Sequence, residues 1–327
     1  AAAVRTAQAA LADRAPARML STTQELEGMN FIRQYRMNDV TVAGSNFGSW
    51  ESGIAAHVLP PDPRMVLIKF EREGAKDIVL MNWQAHPCMT SGMNKYVLSA
   101  DYVGEIRKYV ETNSPGVRFA FFQGAAGNHN GNSVDKKEVR TADSAEYGKL
   151  LGEYVLKALA CTRSVTGDMT VKTLRRDMDL PYDHSDSHLV ERAKEIYKIW
   201  QETYDRPLCN KLANEIGQNS IYAVGHILGR AGRPERGEMP IYALRVGPLG
   251  FACAPYEMFG ANGMFIKEWA PFATTFVVTH CNGSKSYLAS KLAFHHGCYE
   301  VDSRRYPEGT AELLADNFVE MLTQLKK

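Results

Sequence analysis

The stretch MVLIKFEREGAKDIVLMNW, residues 65–83, contains two runs rich in apolar residues, separated by the short segment REGA. Short apolar and β-branched runs on either side of a glycine-containing turn are typical of two paired strands. We therefore predict a β-hairpin at this point, around which the neighbouring segments can build a sheet.

The segments after the hairpin alternate between helix and strand. SADYVGEIRKYVETN has the apolar spacing of a helix, and VRFAFFQG is typical of a buried strand. A long helix is predicted over DSAEYGKLLGEYVLKALAC, with Asp143 or Ser144 as its N-cap. We expect an α/β fold, with a mixed β-sheet core and flanking helices, in a single domain over residues 1–327.

The second half of the chain continues the same alternation. DMTVKTLRRDMDL predicts one long strand or a strand pair, and MPIYALRVGPLGFACAPYE predicts a hairpin that turns at GPLG. A charged surface helix, SDSHLVERAKEIYKIWQETYDRP, lies between them, and an amphipathic helix closes the chain. ATTFVVTHCNG predicts a further strand that ends in a polar loop.

Two regions are less regular. Residues 31–64 contain the breakers VAGSNFGSWESG and PPDPR and predict a long loop. The first residues predict an amphipathic helix with Val4, Ala7, Leu11 and Ala12 on its apolar face. Because this helix begins at the first residue without an N-cap, we expect a chain cut upstream of its natural start, or a mature terminus after processing.

Charge and composition narrow the classes of function. Lys and Arg number 38 against 37 Asp and Glu, and neither sign forms a block, which argues against a dedicated nucleic-acid binder. No apolar stretch is long enough to predict a transmembrane helix. The six cysteines form no CxxC pair, so they predict free thiols or one or two disulfides, and a zinc finger is disfavoured.

Reactive side chains follow three predicted strands. His86 lies in NWQAHPCMTSGMNK, the loop after the hairpin, and FFQGAAGNHNGNS follows the buried strand. The latter loop matches neither the P-loop motif nor GxGxxG nor GxSxG. The sequence therefore predicts neither a nucleotide-binding loop nor the serine nucleophile elbow of a hydrolase. The third region carries candidate metal-binding or catalytic side chains, namely Glu257, His280, Tyr287, His295, His296 and Tyr299.

Each of these residues also has a structural interpretation. A single histidine after a strand is more often hydrogen-bonded than metal-bound. Glu257, in the apolar context APYEMF, needs either a salt bridge or a cation. The histidine pair 295–296 is most simply exposed, and Tyr287 and Tyr299 are by default packing residues.

In order, these stretches resemble the catalytic domain of the neutral/alkaline, non-lysosomal ceramidase family. NWQAHPCMTSGMNKYVLSADYVG is similar to the family segment with a zinc-binding histidine, and FFQGAAGNHN to the segment Gly-Asp-x-Ser-Pro-Asn. ALRVGPLGFACAPYE resembles the strand pair that ends in a zinc-binding glutamate. NGSKSYLASKLAFHHGCYE resembles the segment with two active-site tyrosines twelve residues apart, as Tyr287 and Tyr299 are here (299 − 287 = 12).

The resemblance implies a zinc (Zn2+) site and a set of catalytic residues. His86, Glu257 and Tyr287 match zinc ligands, and Tyr299 matches the tyrosine that contacts the reacting amide. Arg33 falls near the family's active-site arginine. Arg36 is the alternative for that position, and Asp101 matches a residue for which we expect a structural role.

Two departures from the family pattern accompany this match. The family's first zinc ligand lies in a His-x-His-Ser motif that this sequence lacks, and His57 does not fit it, so we expect at most three of four protein ligands. Asn130 occupies the position of the family serine and Asn128 that of the aspartate. His129 falls on a variable position and is not expected to bind metal.

The expected function is that of a zinc-dependent hydrolase that cleaves an N-acyl amide bond by attack of zinc-bound water. Asn130 could donate a hydrogen bond to the substrate but could neither attack nor relay a proton. The alternatives are a metal-dependent ester or phosphoester hydrolase, and a degenerate domain that binds lipid or sugar. The resemblance further implies a small-molecule or lipid N-acyl substrate, a secreted, periplasmic or cell-surface location, and the absence of the C-terminal immunoglobulin-like domain of longer ceramidases.

Overall fold

The protein is described by a computed structural model that covers residues 2–44, 53–90, 96–131 and 143–327. The strands of this part are β1 (Ala17–Glu25), β2 (Phe31–Ile32), β3 (Gln34–Met37), β4 (Val42–Gly44), β5 (Ile54–His57), β6 (Arg64–Arg72), β7 (Asp77–Trp83), β8 (Val117–Gln123), β9 (His129–Asn130), β10 (Arg163–Ser164), β11 (Val171–Pro181), β12 (Arg236–Val246), β13 (Leu249–Cys253), β14 (Glu257–Met258), β15 (Thr274–Val278) and β16 (Tyr287–Leu288). The helices are α1 (Ala2–Ala12), α2 (Asp101–Asn113), α3 (Ser144–Leu159), α4 (Val190–Thr203), α5 (Arg206–Glu215), α6 (Ile221–Ala231), α7 (Gly260–Trp269), α8 (Lys291–His296), α9 (Tyr299–Asp302) and α10 (Thr310–Lys326), with a 3-10 turn at Ser187–Leu189.

The predicted hairpin of β6 and β7 forms the centre of a five-stranded sheet in the order β10-β1-β6-β7-β8. β6 pairs antiparallel with both β1 and β7, whereas β7 and β8 are parallel. Met65 and Leu67 pack on one face of this sheet, and Val66 and Ile68 pack on the other. Since both faces are buried, the run is apolar at every position rather than at alternate ones.

A second sheet has the order β11-β12-β13-β15. β12 pairs antiparallel with β11 and with β13, which confirms the predicted hairpin at GPLG, and β13 is parallel to β15. DMTVKTLRRDMDL forms the single strand β11 rather than a pair. Both sheets are mixed, which confirms the predicted α/β fold class.

The two sheets lie face to face between layers of helices. Val66 and Ile68 share a buried cluster with Phe251 and Phe276, and Asn82 donates from Nδ2 to the carbonyls of Phe122 and Val277, so it links the sheets. The outer face of the first sheet is covered by α2 and α3, and that of the second by α7 and α10. Loops at one end of both sheets are thereby brought close together.

Helices α4, α5 and α6 pack on one another around a small core of their own. The sequence predicts the first of them, but it gives no prediction for residues 208–231, which form most of α5 and all of α6. Arg230 of α6 pairs with Asp186, and Arg304 pairs with Asp183. Arg304 also pairs with Asp186, so these ion pairs link α6 to the segment that follows α9.

One prediction needs correction. Residues 31–64 are not one long loop, because they contain β2 and a three-stranded sheet of β4, β3 and β5; residues 45–52 of the predicted breaker lie outside the described part. Strands of two to four residues are too short to show an apolar period. The first helix forms as predicted, but its apolar face is not buried, since α1 has no buried residue. Among the described residues, no helix is both long and apolar enough to cross a membrane.

Candidate active site

His86 and Glu257 face each other where the two sheets meet. His86 lies in the loop after β7, and Glu257 begins β14. The His86 Nε2 atom is 3.0 Å from Glu257 Oε2, and the Tyr287 hydroxyl is 3.3 Å from the same nitrogen. Glu257 and Tyr287 are register partners in the parallel pair of β14 and β16, so the backbone holds the two side chains side by side. The three residues predicted to bind metal are thus neighbours, although 171 residues separate the first two.

Gly127 allows β14 to approach closely. Its amide donates to the carbonyl of Met258 over 2.7 Å, and a Cβ atom at this position would lie 2.8 Å from the carbonyls of Glu257 and Met258. A side chain here would push Glu257 away from His86. Gly127, the second glycine of GAAGN, therefore affects the site by letting the backbone of β14 come close.

The tautomer of His86 follows from its hydrogen bonds. Its Nδ1 lies 3.1 Å from the carbonyl oxygen of His129, which also accepts the backbone N–H of His86 over 3.0 Å. A carbonyl only accepts, so Nδ1 carries the proton and the Nε2 position faces Glu257. A neutral imidazole would place a lone pair against a carboxylate oxygen. This contact therefore requires a positive charge between the atoms, either a second proton on His86 or a metal ion.

The charge of Glu257 is favoured by its surroundings. Burial acts to raise the pKa of this carboxyl, but the hydrogen bond and charge of His86, together with His280, hold the pKa below its ordinary value. Burial also raises the pKa of Tyr287 well above its ordinary value, although Arg33 opposes the shift. The pair presents an ionised carboxylate beside a protonated phenol at neutral pH.

Arg33 reaches the site from between β2 and β3. It donates from Nη2 to the Tyr287 hydroxyl over 3.2 Å and to the Gly127 carbonyl over 3.1 Å. Its Nε donates to Glu300 over 2.7 Å, and both side chains are buried. Burial acts to lower the pKa of Arg33, but Glu300 and Tyr287 more than offset this, so its pKa is raised and the group stays charged. The alternative residue, Arg36, is exposed on β3.

Glu300 is a site residue that the sequence did not single out. It directly follows Tyr299, and its side chain is fully buried against Arg33. Its position next to a motif tyrosine could have marked Glu300 as a site residue. The sequence does not show that its partner is Arg33, which lies 267 residues away in the chain.

Tyr299, predicted to contact the reacting amide, lies beside Tyr287. Their ring centroids are 5.8 Å apart in an edge-to-face arrangement, and 46% of Tyr299 is exposed. The ring of His226, on α6, contacts the other side at 6.4 Å. Tyr299 is therefore held by two rings and still accessible to a bound molecule.

The loop FFQGAAGNHNGNS supplies structural contacts, and its last two residues lie outside the described part. Asn128 Oδ1 accepts the N–H of Gly260 at the start of α7 over 2.9 Å. Asn130 is buried in β9, opposite Phe31 of β2. The His129 ring is fully buried and its Nε2 accepts the N–H of Asp62 over 3.1 Å. That nitrogen is engaged with the backbone rather than available to the site.

Asp101 holds the loop that carries His86. Its Oδ2 accepts the backbone N–H groups of Met89 and Thr90 over 2.8 and 2.7 Å, and also the hydroxyl of Thr90. These contacts are structural, as expected from the sequence. Three other histidines lie elsewhere: His57 contacts Phe31 and Tyr35, and His295 and His296 are exposed. The candidate His280 lies near the site, with its Nε2 4.0 Å from Glu257 Oε2.

A cavity of about 190 Å3 opens beside His86 and Glu257. It is lined by His86, Pro87, Gln123, Ala126, Gly127, Glu257, Thr279 and His280. The acid–base pair thus borders a space that can receive a small chemical group.

Comparison with known proteins gives the fold a precedent. No protein-family model and no curated protein matches the chain. Among solved structures, the neutral ceramidase from Pseudomonas aeruginosa superposes with a TM-score of 0.65 at 19% identity, over 98% of this chain and 54% of that one. A structure described as ceramidase complexed with C2 superposes with a TM-score of 0.60 at 17% identity. That superposition covers 95% of this chain and 54% of that one.

This chain has the fold of a neutral ceramidase. The predicted resemblance is confirmed at the level of the fold. The chain spans about half the length of each of these ceramidase structures.

The donors can be tested against a zinc ion, which the resemblance implies. Within the described ranges, no group of three or more His, Cys, Asp or Glu side chains is arranged to hold a metal. The predicted ligands His86, Glu257 and Tyr287 do not form such a group, because tyrosine is not one of these four residue types. Ligands at zinc distances of 2.0–2.2 Å lie roughly 3.3–3.5 Å apart in a tetrahedron. The separations of 3.0 and 3.3 Å around His86 Nε2 are close to this, so the residues fit a zinc ion as three of its ligands.

Proposed function

We propose that the chain is a ceramidase-like hydrolase domain that cleaves an N-acyl amide bond, with zinc held by His86, Glu257 and Tyr287. The observation that carries the proposal is the contact of His86 Nε2 with Glu257 Oε2 at 3.0 Å, which requires a cation or proton between the two atoms. The likeness of the fold to neutral ceramidases supports the same reading. When bound here, zinc would supply a nucleophile at neutral pH by lowering the pKa of water towards about 7.

The protein's own groups orient this centre. The His129 carbonyl fixes the His86 ring with Nε2 towards Glu257, as carbonyls do for metal-binding histidines. The carboxylate of Glu257, whose pKa is lowered, supplies negative charge for a cation. Burial raises the pKa of Tyr287 in the metal-free chain, and its hydroxyl is held between His86 and Arg33.

Arg33 and Tyr299 can interact with the amide that is cleaved. Arg33 is a permanent positive charge fixed by Glu300 and Gly127, so it can stabilise negative charge that develops on a carbonyl oxygen. The half-exposed Tyr299 can donate its hydroxyl to the substrate. Asn130, buried in β9, contributes hydrogen bonds only, since an amide side chain neither attacks nor relays protons.

The substrate class is an N-acyl compound, small or lipid-like, and the cavity beside His86 receives the amide. We place the protein outside the cytoplasm, in the secreted, periplasmic or cell-surface compartments, by analogy with the ceramidase fold. Fractionation of the source cells tests the location, and recovery in the cytosol alone would contradict it.

The test of the reaction is a comparison of three substrate classes on one preparation. The zinc-supplied chain is assayed with a fluorogenic N-acyl sphingoid amide, with p-nitrophenyl acetate and with p-nitrophenyl phosphate. We expect turnover of the amide that stops after chelation and returns with zinc. Faster turnover of the ester or phosphate would assign the site to the alternative hydrolase class. Zinc binding without turnover of any substrate would indicate a binding domain.

A further inference from the structure

Two of the six cysteines, Cys253 and Cys281, lie next to segments that line the cavity beside His86, and the proposed function uses neither of them. Cys253 ends β13, shortly before Glu257, and Cys281 directly follows His280. Glu257 and His280 both line the cavity. The two cysteines are free thiols in this structure, and both are partly exposed.

The backbone brings these two cysteines to the same point of the second sheet. β13 and β15 are parallel, and Cys253 is the register partner of Val278 where the two strands end. Beyond this position, the N–H of Ala254 donates to the carbonyl of Val278 over 3.0 Å. The N–H of Cys281 then donates to the carbonyl of Ala254 over 2.9 Å. Cys281 is thus hydrogen-bonded to the residue that directly follows Cys253.

The two side chains also lie on the same face of the sheet. Successive residues of a strand face opposite sides, so Cys253 shares the face of Leu249 and Phe251, which is buried against the first sheet. Cys281 packs against the same buried cluster. A hydrogen bond joins the two thiols. It lowers the pKa of Cys281, although burial acts to raise it, and together with burial it raises the pKa of Cys253.

We propose that Cys253 and Cys281 form a disulfide when the protein is in an oxidising compartment. A disulfide requires two cysteine side chains that point towards each other from neighbouring backbone positions, and this pair meets that condition. The compartments proposed for the protein are of the kind in which disulfides form and persist. The inference goes beyond the proposed function, because it requires neither the metal nor the cleavage of an amide.

The oxidant is a small disulfide such as glutathione disulfide. The Cys281 thiolate attacks one sulfur atom of the oxidant, forms a mixed disulfide and releases one glutathione thiolate, which takes up a proton. Cys253 then loses its proton to solvent, attacks the Cys281 sulfur atom and releases the second glutathione. The protein loses two electrons and two protons, and the oxidant is reduced to two molecules of glutathione.

The bond stabilises the segment between β15 and β16, which forms part of the cavity wall. Its backbone is unusual, with φ of +55° at His280, +59° at Asn282 and +74° at Ser286, all in the left-handed region that favours glycine. Such conformations cost energy and persist only where the surroundings hold them. The paired residues Glu257 and Tyr287 follow directly after the cross-link on the two segments. The disulfide therefore opposes local opening of the chain beside them.

The simpler role for both cysteines is packing, because a free thiol behaves as a small apolar group in a core. In that role the two sulfur atoms stay reduced under oxidising conditions, and a reductant leaves the stability of the chain unchanged. The oxidation state of the pair therefore distinguishes a cross-link from packing.

The experiment equilibrates the 327-residue chain in a glutathione redox buffer with the poise of a secretory compartment. The remaining thiols are then blocked in denaturant, and tryptic peptides are identified by mass spectrometry. Trypsin cleaves after lysine and arginine, so Cys253 and Cys281 fall in the separate peptides 246–267 and 268–285. We expect these two peptides to be recovered as one linked species, which separates into its parts after reduction.

Thermal melts of the oxidised chain with and without a reductant measure the effect on stability. Because a cross-link restricts the unfolded chain, we expect reduction to lower the melting temperature by about 5 °C. The control Cys161→Ser alters an exposed cysteine elsewhere and should show the same shift. Cys253→Ser and Cys281→Ser should melt at the same temperature with and without the reductant.

Two results would overturn the inference. If peptides 246–267 and 268–285 are not linked after oxidation, or if Cys281 is linked to a different cysteine, the pair does not form this disulfide. If the linked chain melts at the same temperature after reduction, the bond does not stabilise the cavity wall. Neither result bears on zinc binding or on amide cleavage, so the proposed function is tested separately.

Discussion

Arg33 donates from Nε to Glu300 over 2.7 Å where both side chains are buried, and its Nη2 reaches the Tyr287 hydroxyl over 3.2 Å. Glu300 thus acts on the site through Arg33, as a positioning residue. The guanidinium is fixed in the one orientation that also contacts the Gly127 carbonyl.

Glu300→Gln leaves the buried guanidinium without its countercharge. Because an uncompensated buried charge is expensive, we expect a loss of about 3 kcal/mol in the free energy of unfolding. We also expect kcat to fall tenfold or more with a smaller change in KM, since Arg33 is proposed to stabilise the transition state rather than the bound substrate. Chemical denaturation and steady-state kinetics measure the two effects.

The control for this variant is Glu195→Gln, which breaks the exposed pair of Arg192 and Glu195. An exposed pair contributes less than about 1 kcal/mol, so this variant should be close to the unaltered chain in both measurements. Equal effects of the two substitutions would show that Glu300 does not position Arg33.

Asn128 ties the loop before β9 to the start of α7. Asn128→Ala removes the acceptor for the Gly260 N–H, and the buried donor left unpaired should cost about 1–3 kcal/mol of stability. Asn128→Asp keeps an oxygen in that position and puts a negative charge at a helix N-terminus, where it is favoured. We expect the aspartate variant to unfold at higher urea concentration than the alanine variant, and the reverse order would contradict this account of the contact.

Two helical glycines should respond in opposite ways to the same substitution. A Cβ atom at Gly260 would lie 1.8 Å from the buried ring of His129, so Gly260→Ala should destabilise the chain by about 3 kcal/mol. At Gly229, inside α6, nothing lies within 4 Å, and alanine should stabilise the helix by up to about 1 kcal/mol. Thermal melts of both variants measure the difference, and a stable Gly260→Ala protein would refute the close packing of α7 on His129.

Stability should depend on pH through His129. Burial lowers the pKa of this imidazole to about 3, from an ordinary 6.5. Between these values the unfolded chain binds a proton that the folded chain does not, so stability falls as the pH decreases through this range. The contribution lost between pH 7 and pH 5 is roughly 2 kcal/mol. His129→Gln should lose that part of the pH dependence in urea denaturation, whereas His188→Gln should not; identical slopes in all three proteins would contradict the assignment.

Much of the fold could be predicted because long elements show their burial in the sequence. The runs at residues 65–71 and 76–83 are strongly apolar, and Asp143 caps α3 with its side chain as predicted, accepting from Ala145 and Glu146. The short strands β2 to β5 were missed, because pairing between distant segments forms them. The exposure of α1 could not be predicted either, since its apolar spacing alone does not show what covers it.

The candidate site was predictable only where a motif carried it. His86, Glu257, Tyr287, Tyr299 and Arg33 lie in segments that resemble a known family, and the fold brings them together; their roles remain predictions. Glu300 ends one of these segments but was given no role, and His280 was a candidate side chain that lies outside them. The partner of Glu300 could not be predicted, because Arg33 lies 267 residues away in the chain.

The central claim is that a metal ion lies between His86 Nε2 and Glu257 Oε2. Diffraction from crystals grown with zinc, recorded on both sides of the zinc absorption edge, tests it most directly. The account predicts one anomalous peak within about 2.0–2.2 Å of both atoms, with Tyr287 as a further ligand. A map with no peak at this position, with His86 and Glu257 still in direct contact at 3.0 Å, would show that a proton bridges them and would contradict the zinc site.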